Sequence, residues 1–327
     1  MKPRIVISKT SSIFTNLALE ELFAHEALAP ILFLYQNSKT IVIGRNQNPW
    51  KEIYVDRMQT DKVSLCRRNS GGGAVYQDLG NTCFSFINPH SPQDFKNRNN
   101  SIVLRALNIL DIEAETSGRN DIIVEGKKIS GSAYKIQPQG SHLHTIHHGT
   151  MLLNTELSAL SKYLNPSKAK LESKGIKSVS SRVANCIEFN SSINNENFIK
   201  SMTKSYTKDY PDAEVINLDG VPPVVQKKAE ALQNWDWVYG ESPQFSHELE
   251  TRFKWGIFDM NMEVQDGIVK KCKIFSDCLV PDFVEFVEKM MIDKKYGKET
   301  IDEISNKCPE DYKEMMQDIR EWFTSSL

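Results

Sequence analysis

Apolar positions along the chain follow two rhythms. Residues 15–28 put Leu17, Leu19, Leu22, Phe23 and Ala27 on one broad side ahead of Pro30, which predicts a helix. The apolar runs 31–36 and 40–44 flank Asn37-Ser38-Lys39 and predict two strands joined as a hairpin. A short helix is expected over 52–60, then strands over 63–67 and 83–88, the second stopped by Pro89. Helical spacing returns over 101–110 through Ile102, Leu104, Ala106, Leu107 and Leu110. Strands are predicted over 121–124, 128–136 and 145–153, with Glu125-Gly126-Lys127 as a turn, and helices over 197–210 and 223–233. From about residue 244 the pattern restarts: strands over 253–264 and 268–275 around Asp266-Gly267, then helices from Pro281 onward. The expected class is α/β (α+β), in two domains, 1–243 and 244–327.

One stretch fits neither rhythm. Arg67-Arg68-Asn69-Ser70-Gly71-Gly72-Gly73-Ala74-Val75-Tyr76 sets three glycines between strand-like runs. Each glycine loses more backbone entropy on folding than alanine, roughly 0.5–1 kcal/mol in a regular element. Such a run suggests backbone approached closely by a ligand. Successive N–H groups form an anion-binding concavity, and a guanidinium grips phosphate or carboxylate through paired hydrogen bonds. The stretch lacks the Lys-Ser/Thr ending of a P-loop, and its strand-to-strand flanks exclude a dinucleotide Rossmann fingerprint.

Charge sharpens this. The 327 residues carry a formal charge of −2, but residues 241–327 hold 12 Lys and Arg against 19 Asp and Glu, a net of −7. That leaves 28 against 23, or +5, for residues 1–240, where the glycine stretch lies. An anionic ligand or acidic partner is favoured there. The basic residues are scattered without an aromatic-interleaved stripe, so nucleic acid is not the expected partner. No apolar run reaches the ~18–20 residues of a membrane span, and no secretory signal is visible. An intracellular protein is expected. Cys66, Cys83, Cys186, Cys272, Cys278 and Cys308 include no C-x-x-C pair and read as free thiols.

Three more clusters carry chemistry. Ser117-Gly118-Arg119-Asn120-Asp121 and Lys128-Ile129-Ser130-Gly131-Ser132-Ala133-Tyr134-Lys135 join a carboxylate, small residues and a lysine in a strand. His142, His144 and His148 share one face of a strand, near His147, Gly149 and Thr150. No carboxylate or cysteine lies nearby in sequence, so polar or packing roles are preferred to metal ligation. The lysine-rich polar segment 165–180 reads as a surface loop, of the kind that serves as a lid.

These motifs together resemble lipoate-protein ligases of the A type, in the biotin and lipoate ligase superfamily. The resemblance is carried by residues 67–81, 117–121, 128–134 and 147–150, and by Gln47-Asn48-Pro49-Trp50, Tyr163-Leu164-Asn165-Pro166, Lys174-Gly175-Ile176, Trp235-Asp236-Trp237 and Phe245-Ser246-His247, in family order. Gln77 departs from it, standing where many relatives have His.

The resemblance implies a large two-layer domain with mixed, mostly antiparallel sheets and a small C-terminal α+β domain. It implies activation of lipoate by ATP and Mg2+ to lipoyl-AMP with release of pyrophosphate. Transfer then goes to a lysine on lipoyl domains of 2-oxoacid dehydrogenase complexes or on glycine cleavage H protein. Lys128 is the implied catalytic lysine. Arg68, Ser70, Gly71, Gly72, Gly73, Ala74, His148 and Gly149 are implied around lipoate and lipoyl-AMP. Val75, Tyr76, Asn81, Asn120, Asp121, Ser130, Ser132 and Lys174 are implied around the nucleotide with Lys128, and Asp121 as the magnesium ligand. A monomer in the cytoplasm, or in the mitochondrial matrix if the source is eukaryotic, is expected. Lipoate and octanoate both suit an apolar slot with a carboxylate grip. The alternatives are a lipoyltransferase that takes preformed lipoyl-AMP or a lipoylated carrier, and a non-catalytic lipoate-binding protein.

Overall fold

The chain enters through strand β1 (Arg4–Ser8) and helix α1 (Ile13–Glu26), whose N-cap Ser12 accepts the Thr15 N–H. Next come β2 (Ile31–Tyr35), β3 (Thr40–Ile43), the short helices α2 (Pro49–Glu52) and α3 (Val55–Thr60), β4 (Ser64–Arg67), β5 (Val75–Gln77) and β6 (Asn81–Ser91). Helix α4 (Phe95–Ile109) leads to β7 (Glu115–Ser117), β8 (Asp121–Val124), β9 (Lys127–Gln139) and β10 (His142–Leu152). Then follow α5 (Ser158–Tyr163), α6 (Asn195–Asp209), β11 (Glu214–Leu218), α7 (Pro223–Ala231) and α8 (Trp235–Val238). The last elements are β12 (His247–Phe253), β13 (Gly256–Gln265), β14 (Ile268–Ser276), α9 (Pro281–Met291), α10 (Lys298–Lys307) and α11 (Lys313–Ser326). This computed structural model describes residues 1–139, 142–165, 183–239, 247–265 and 267–326. They form two units: Met1–Ile43, Pro49–Arg68 and Ala74–Val238 make one, and Gly44–Asn48, Asn69–Gly73 and Tyr239–Leu327 the other. The expected boundary at residue 243 and most of the 165–180 segment lie outside the described residues.

In the first unit the main sheet has the order β11-β1-β2-β6-β10-β9-β8-β7. Its β11–β1–β2 end is parallel, and every later pair is antiparallel. Alternation sends neighbours in sequence to opposite faces. Leu32 and Leu34 of β2 and Phe84 and Phe86 of β6 pack with α4 and α6 through Ile102, Leu107, Phe198, Met202 and Tyr206. Ile31, Phe33 and Tyr35, with Cys83 and Ile87, pack on the other side with α1, α7, Val42 and Cys66. Each fully buried Leu or Phe here contributes about 1.5–3 kcal/mol by removal from water.

Two expectations are corrected here. β2 and β3 are not a hairpin: β2 pairs in the main sheet with β1 and β6, and β3 forms a second sheet of order β4-β3-β5. Both strands are buried along their whole length, so alternation does not specify a partner. Asn37 between them is also fully buried, accepting from Asn16 Nδ2 and donating to Gln77 Oε1, which ties α1 to β5 instead of closing a turn. The expected 253–264 strand starts later, as β13, and a further strand, β12, precedes it across Lys254-Trp255. β1 and β11 were not expected at all.

In the second unit β12-β13-β14 is an antiparallel sheet. Phe258, Met260 and Met262 alternate onto one face and pack against Val284, Val287 and Met291 of α9, Ile301 and Ile304 of α10, and Met316, Ile319 and Phe323 of α11. All six cysteines are buried free thiols. Among the described residues, no helix is long and apolar enough to cross a membrane.

Candidate functional site

Lys128 and Asp121 meet at the β8–β9 end of the main sheet. The register shifts between Ile122 and Ile123, so one extra residue enters β9 and the strand bends there. Lys128 Nζ lies 2.7 Å from Asp121 Oδ1, a charge-assisted contact in which the lysine side chain keeps 29% of its exposure. Asp121 lies opposite Gly131. A Cβ on Gly131 would stand 2.6 Å from Lys128 Nζ and 2.8 Å from its Cε. Glycine there lets the lysine lie across the strand onto the carboxylate. The Lys128 backbone is held in place by its carbonyl, which accepts the Ala184 N–H at 3.0 Å. Asn120 fixes the entry to β8: its carbonyl accepts the Ser132 N–H at 2.9 Å, and its Nδ2 donates to the Ser132 carbonyl at 2.5 Å.

The same face continues inward. Cross-strand partners share a face, which aligns Asp121, Gly131, Thr150, Cys83 and Tyr35 in one row and Ala133, His148, Ser85 and Phe33 in the next. His148 Nδ1 sits 2.9 and 3.0 Å from the two carboxylate oxygens of Glu20, on α1. Glu20 is 5% exposed. It also pulls up the guanidinium of Arg68, which burial pushes down to about 10; Arg68 donates Nη1–H to the Val42 carbonyl at 3.1 Å. Burial, reinforced by Cys83 and Glu20, holds the Tyr35 phenol well above its ordinary range, so it stays a neutral donor.

Glu20 was missed in sequence because it sits inside the apolar stripe of α1. The signal was present: Asn16 and Glu20, four apart, are both buried polar residues on that stripe.

Several expected residues are placed elsewhere. Gly149 lies on the opposite face, where a Cβ would stand 2.3 Å from the Phe84 ring. Ser130 and Ser132 also alternate to that face, opposite Met151 and Gly149. Arg67 donates to the Trp237 and Val238 carbonyls at 2.9 and 2.7 Å, and Trp237 Nε1 donates back to the Arg67 carbonyl, so it ties β4 to α8. Tyr76 is buried and stacks on Tyr163 at 5.9 Å; Val75 and Ala74 are half-buried beside it. Asn81 is buried at the start of β6, its Nδ2 3.3 Å from Cys83 Sγ. His144 is pushed down by burial, then by His90 and Lys135. Lys174 lies outside the described residues.

Ser70 and Gly71–Gly73 belong to the second unit. There the Ser70 carbonyl accepts the Arg45 N–H at 2.9 Å, and the Gly72 N–H donates to the Cys278 carbonyl at 3.2 Å. A Cβ on Gly71 would lie 2.1 Å from that carbonyl oxygen, and Gly72 has φ +89°, so backbone packing and a left-handed turn both demand glycine. Among the described residues no three His, Cys, Asp or Glu cluster as metal ligands.

Comparison with known proteins gives these positions a context. Residues 12–207 match the lipoyl protein ligase A/B catalytic domain, and residues 242–323 match the bacterial lipoate protein ligase C-terminus. Lipoate-protein ligase A of Psychrobacter cryohalolentis is 41% identical over 344 residues, covering 100% of this chain and 99% of that one. P. falciparum LipL1, solved in complex with lipoate, superposes with a TM-score of 0.87 at 35% identity over 99% of each chain. A bipartite lipoate protein ligase of Thermoplasma acidophilum, studied with its E2 lipoyl domain, covers 76% of this chain and 100% of its own at 25% identity, TM-score 0.62. A catalytic-domain match over more than half of the chain, with a relative 41% identical over all of it, shows that the chain belongs to the lipoate-protein ligase family.

Proposed function

We propose that Lys128 is the catalytic lysine of a two-step ATP-dependent lipoylation carried out by residues 1–243, with 244–327 as an accessory domain. In the first step a lipoate carboxylate oxygen attacks the α-phosphorus of ATP and pyrophosphate leaves. In the second, an acceptor lysine amine attacks the acyl carbonyl of lipoyl-AMP and AMP leaves with the bonding electrons. The observation that carries this reading is the Lys128–Asp121 contact over Gly131, at the outer end of the face that holds His148, Glu20 and Arg68. Moved off Asp121, the ammonium would stand beside the acyl and phosphoryl oxygens where negative charge builds in both steps. Arg68 would orient the acyl carboxylate and His148 would line the acyl slot. Val75, Tyr76, Asn81 and Asn120 would border the nucleotide.

A magnesium ion arriving with the nucleotide suits a site of this kind, since Mg2+ takes one or two carboxylates together with phosphate oxygens and water. Asp121 would hold it, and the ion would neutralise phosphate charge. The acceptors would be lipoyl domains of 2-oxoacid dehydrogenase complexes and glycine cleavage H protein, met in the cytoplasm by a monomer. Pyrophosphate release from ATP with lipoate, followed by mass spectrometry of an added lipoyl domain, tests the reading. Both signals are expected. Transfer from synthetic lipoyl-AMP without pyrophosphate release would reassign the chain to transfer alone.

A further inference from the structure

Among the described residues, Ser85 is one of three on the site face, with Asn81 through its Oδ1 and His144 through its Nε2, that bury a polar atom without a partner; it is the one that lies in the row of His148. It is fully buried, and among the described residues no polar atom pairs with its hydroxyl. Its immediate polar neighbours are matched: His148 to Glu20, Thr150 Oγ1 to the Gly131 carbonyl, and the Cys83 thiol to the side-chain amides of Asn37 and Asn81. A buried hydroxyl without a partner costs free energy, so its retention calls for a use. Register fixes where it points. Ser85 lies between Phe33 of β2 and His148 of β10, on the face that carries Lys128 and Asp121.

Distance indicates what it meets. Ser85 is on β6, two strands in from Gly131 on β9. Two inter-strand steps amount to roughly 10 Å. An acyl chain with its carboxyl end at Lys128, laid across the strands, brings its far end over β6. In lipoate that end carries two sulfurs; in octanoate it carries only methylene and methyl groups.

We propose that Ser85 is a specificity-determining residue of the acyl slot, its hydroxyl donating a hydrogen bond to a dithiolane sulfur and so favouring lipoate over the plain fatty acid. This rests on the reading of the Lys128 face as the acyl slot. Sulfur is a weak acceptor, which bounds the preference to a modest factor.

The test compares wild type, Ser85→Ala and Ser85→Thr by pyrophosphate release and by calorimetric binding of lipoate and octanoate, with melting curves to verify folding. Alanine removes the hydroxyl without adding volume, so packing under α1 is kept. In Ser85→Ala, kcat/KM and affinity for lipoate should fall about 3- to 10-fold while octanoate is unchanged, and Ser85→Thr should retain most of the preference. Equal effects on both acids in Ser85→Ala, or none, would overturn the role of Ser85 and leave the slot standing. The same loss in Ser85→Thr would assign the effect to packing and overturn it too. A wild type that binds neither acid would remove the slot itself, and this proposal with it.

Discussion

His147 and His148 are adjacent in the chain and meet opposite chemistry. His147 points into the α4 and α6 side of the sheet, ringed by Phe86, Phe95 and Tyr134 at 6.3, 6.1 and 6.4 Å between centroids. Its Nδ1 meets Asn99 Nδ2 at 3.2 Å, and Lys96 caps the group over Tyr134 at 3.6 Å. Burial, with His148 and Lys96 adding to it, pushes His147 down to about 3, so it is a neutral packing residue. His148 points the other way, onto a buried carboxylate in the proposed acyl slot. One residue type at consecutive positions therefore serves stability on one face and substrate on the other, and strand alternation makes the choice.

If that division holds, changes on the two faces should separate. The largest effect is expected for Glu20→Ala, which leaves Arg68 and His148 without their buried carboxylate; it should cost about 3–5 kcal/mol in urea unfolding as well as lipoate binding. Lys128→Ala comes next, and it sharpens the contrast. Pyrophosphate release should fall about 100- to 1000-fold with the unfolding midpoint unchanged, because the side chain is partly exposed and serves charge development. Wild-type rates in that variant would remove Lys128 from the chemistry.

The packing face should respond to pH. His147 has a folded pKa near 3 and an ordinary value of 6.5, so below pH 6.5 the unfolded chain takes up a proton that the folded one refuses. Its contribution to stability is complete above pH 6.5 and is lost as pH falls from 6.5 towards 3. Between pH 8 and pH 5 the wild type should lose about 2 kcal/mol more than His147→Gln. Parallel pH profiles would put His147 in contact with water. The smallest effect is expected for Gly149→Ala, about 1–2 kcal/mol of instability from the clash with Phe84. Its kcat/KM for lipoate should not change; a selective loss there would bring Gly149 back to the substrate side.

What the sequence made legible was local. The Lys128 and Asp121 strands were readable because Glu125-Gly126-Lys127 is a turn between period-two runs, and Glu125 and Gly126 do have positive φ. The sheet assignment of β2 and β3 was not readable, since continuous apolar runs carry no face information. Glu20 was hidden because a helix pattern reports which side is buried and not what a buried acid touches. Adjacency of the glycines did not disclose every backbone they approach. Gly71 answers to the Cys278 carbonyl in its own unit, a contact more than 200 positions away in sequence that no local spacing encodes.

The parallel pair of β1 with β11, Arg4 opposite Glu214, bears on how the protein is made. β1 leaves the ribosome long before its outer partner, which emerges only after the whole catalytic face has been translated. Until residue 218 is free, the nascent main sheet ends at β1 with a row of bare peptide groups, the kind of edge that another nascent chain can extend. Pairing across so long a stretch is entropically slow, so an aggregation-sensitive interval is built into synthesis, and truncation ahead of β11 would make it permanent.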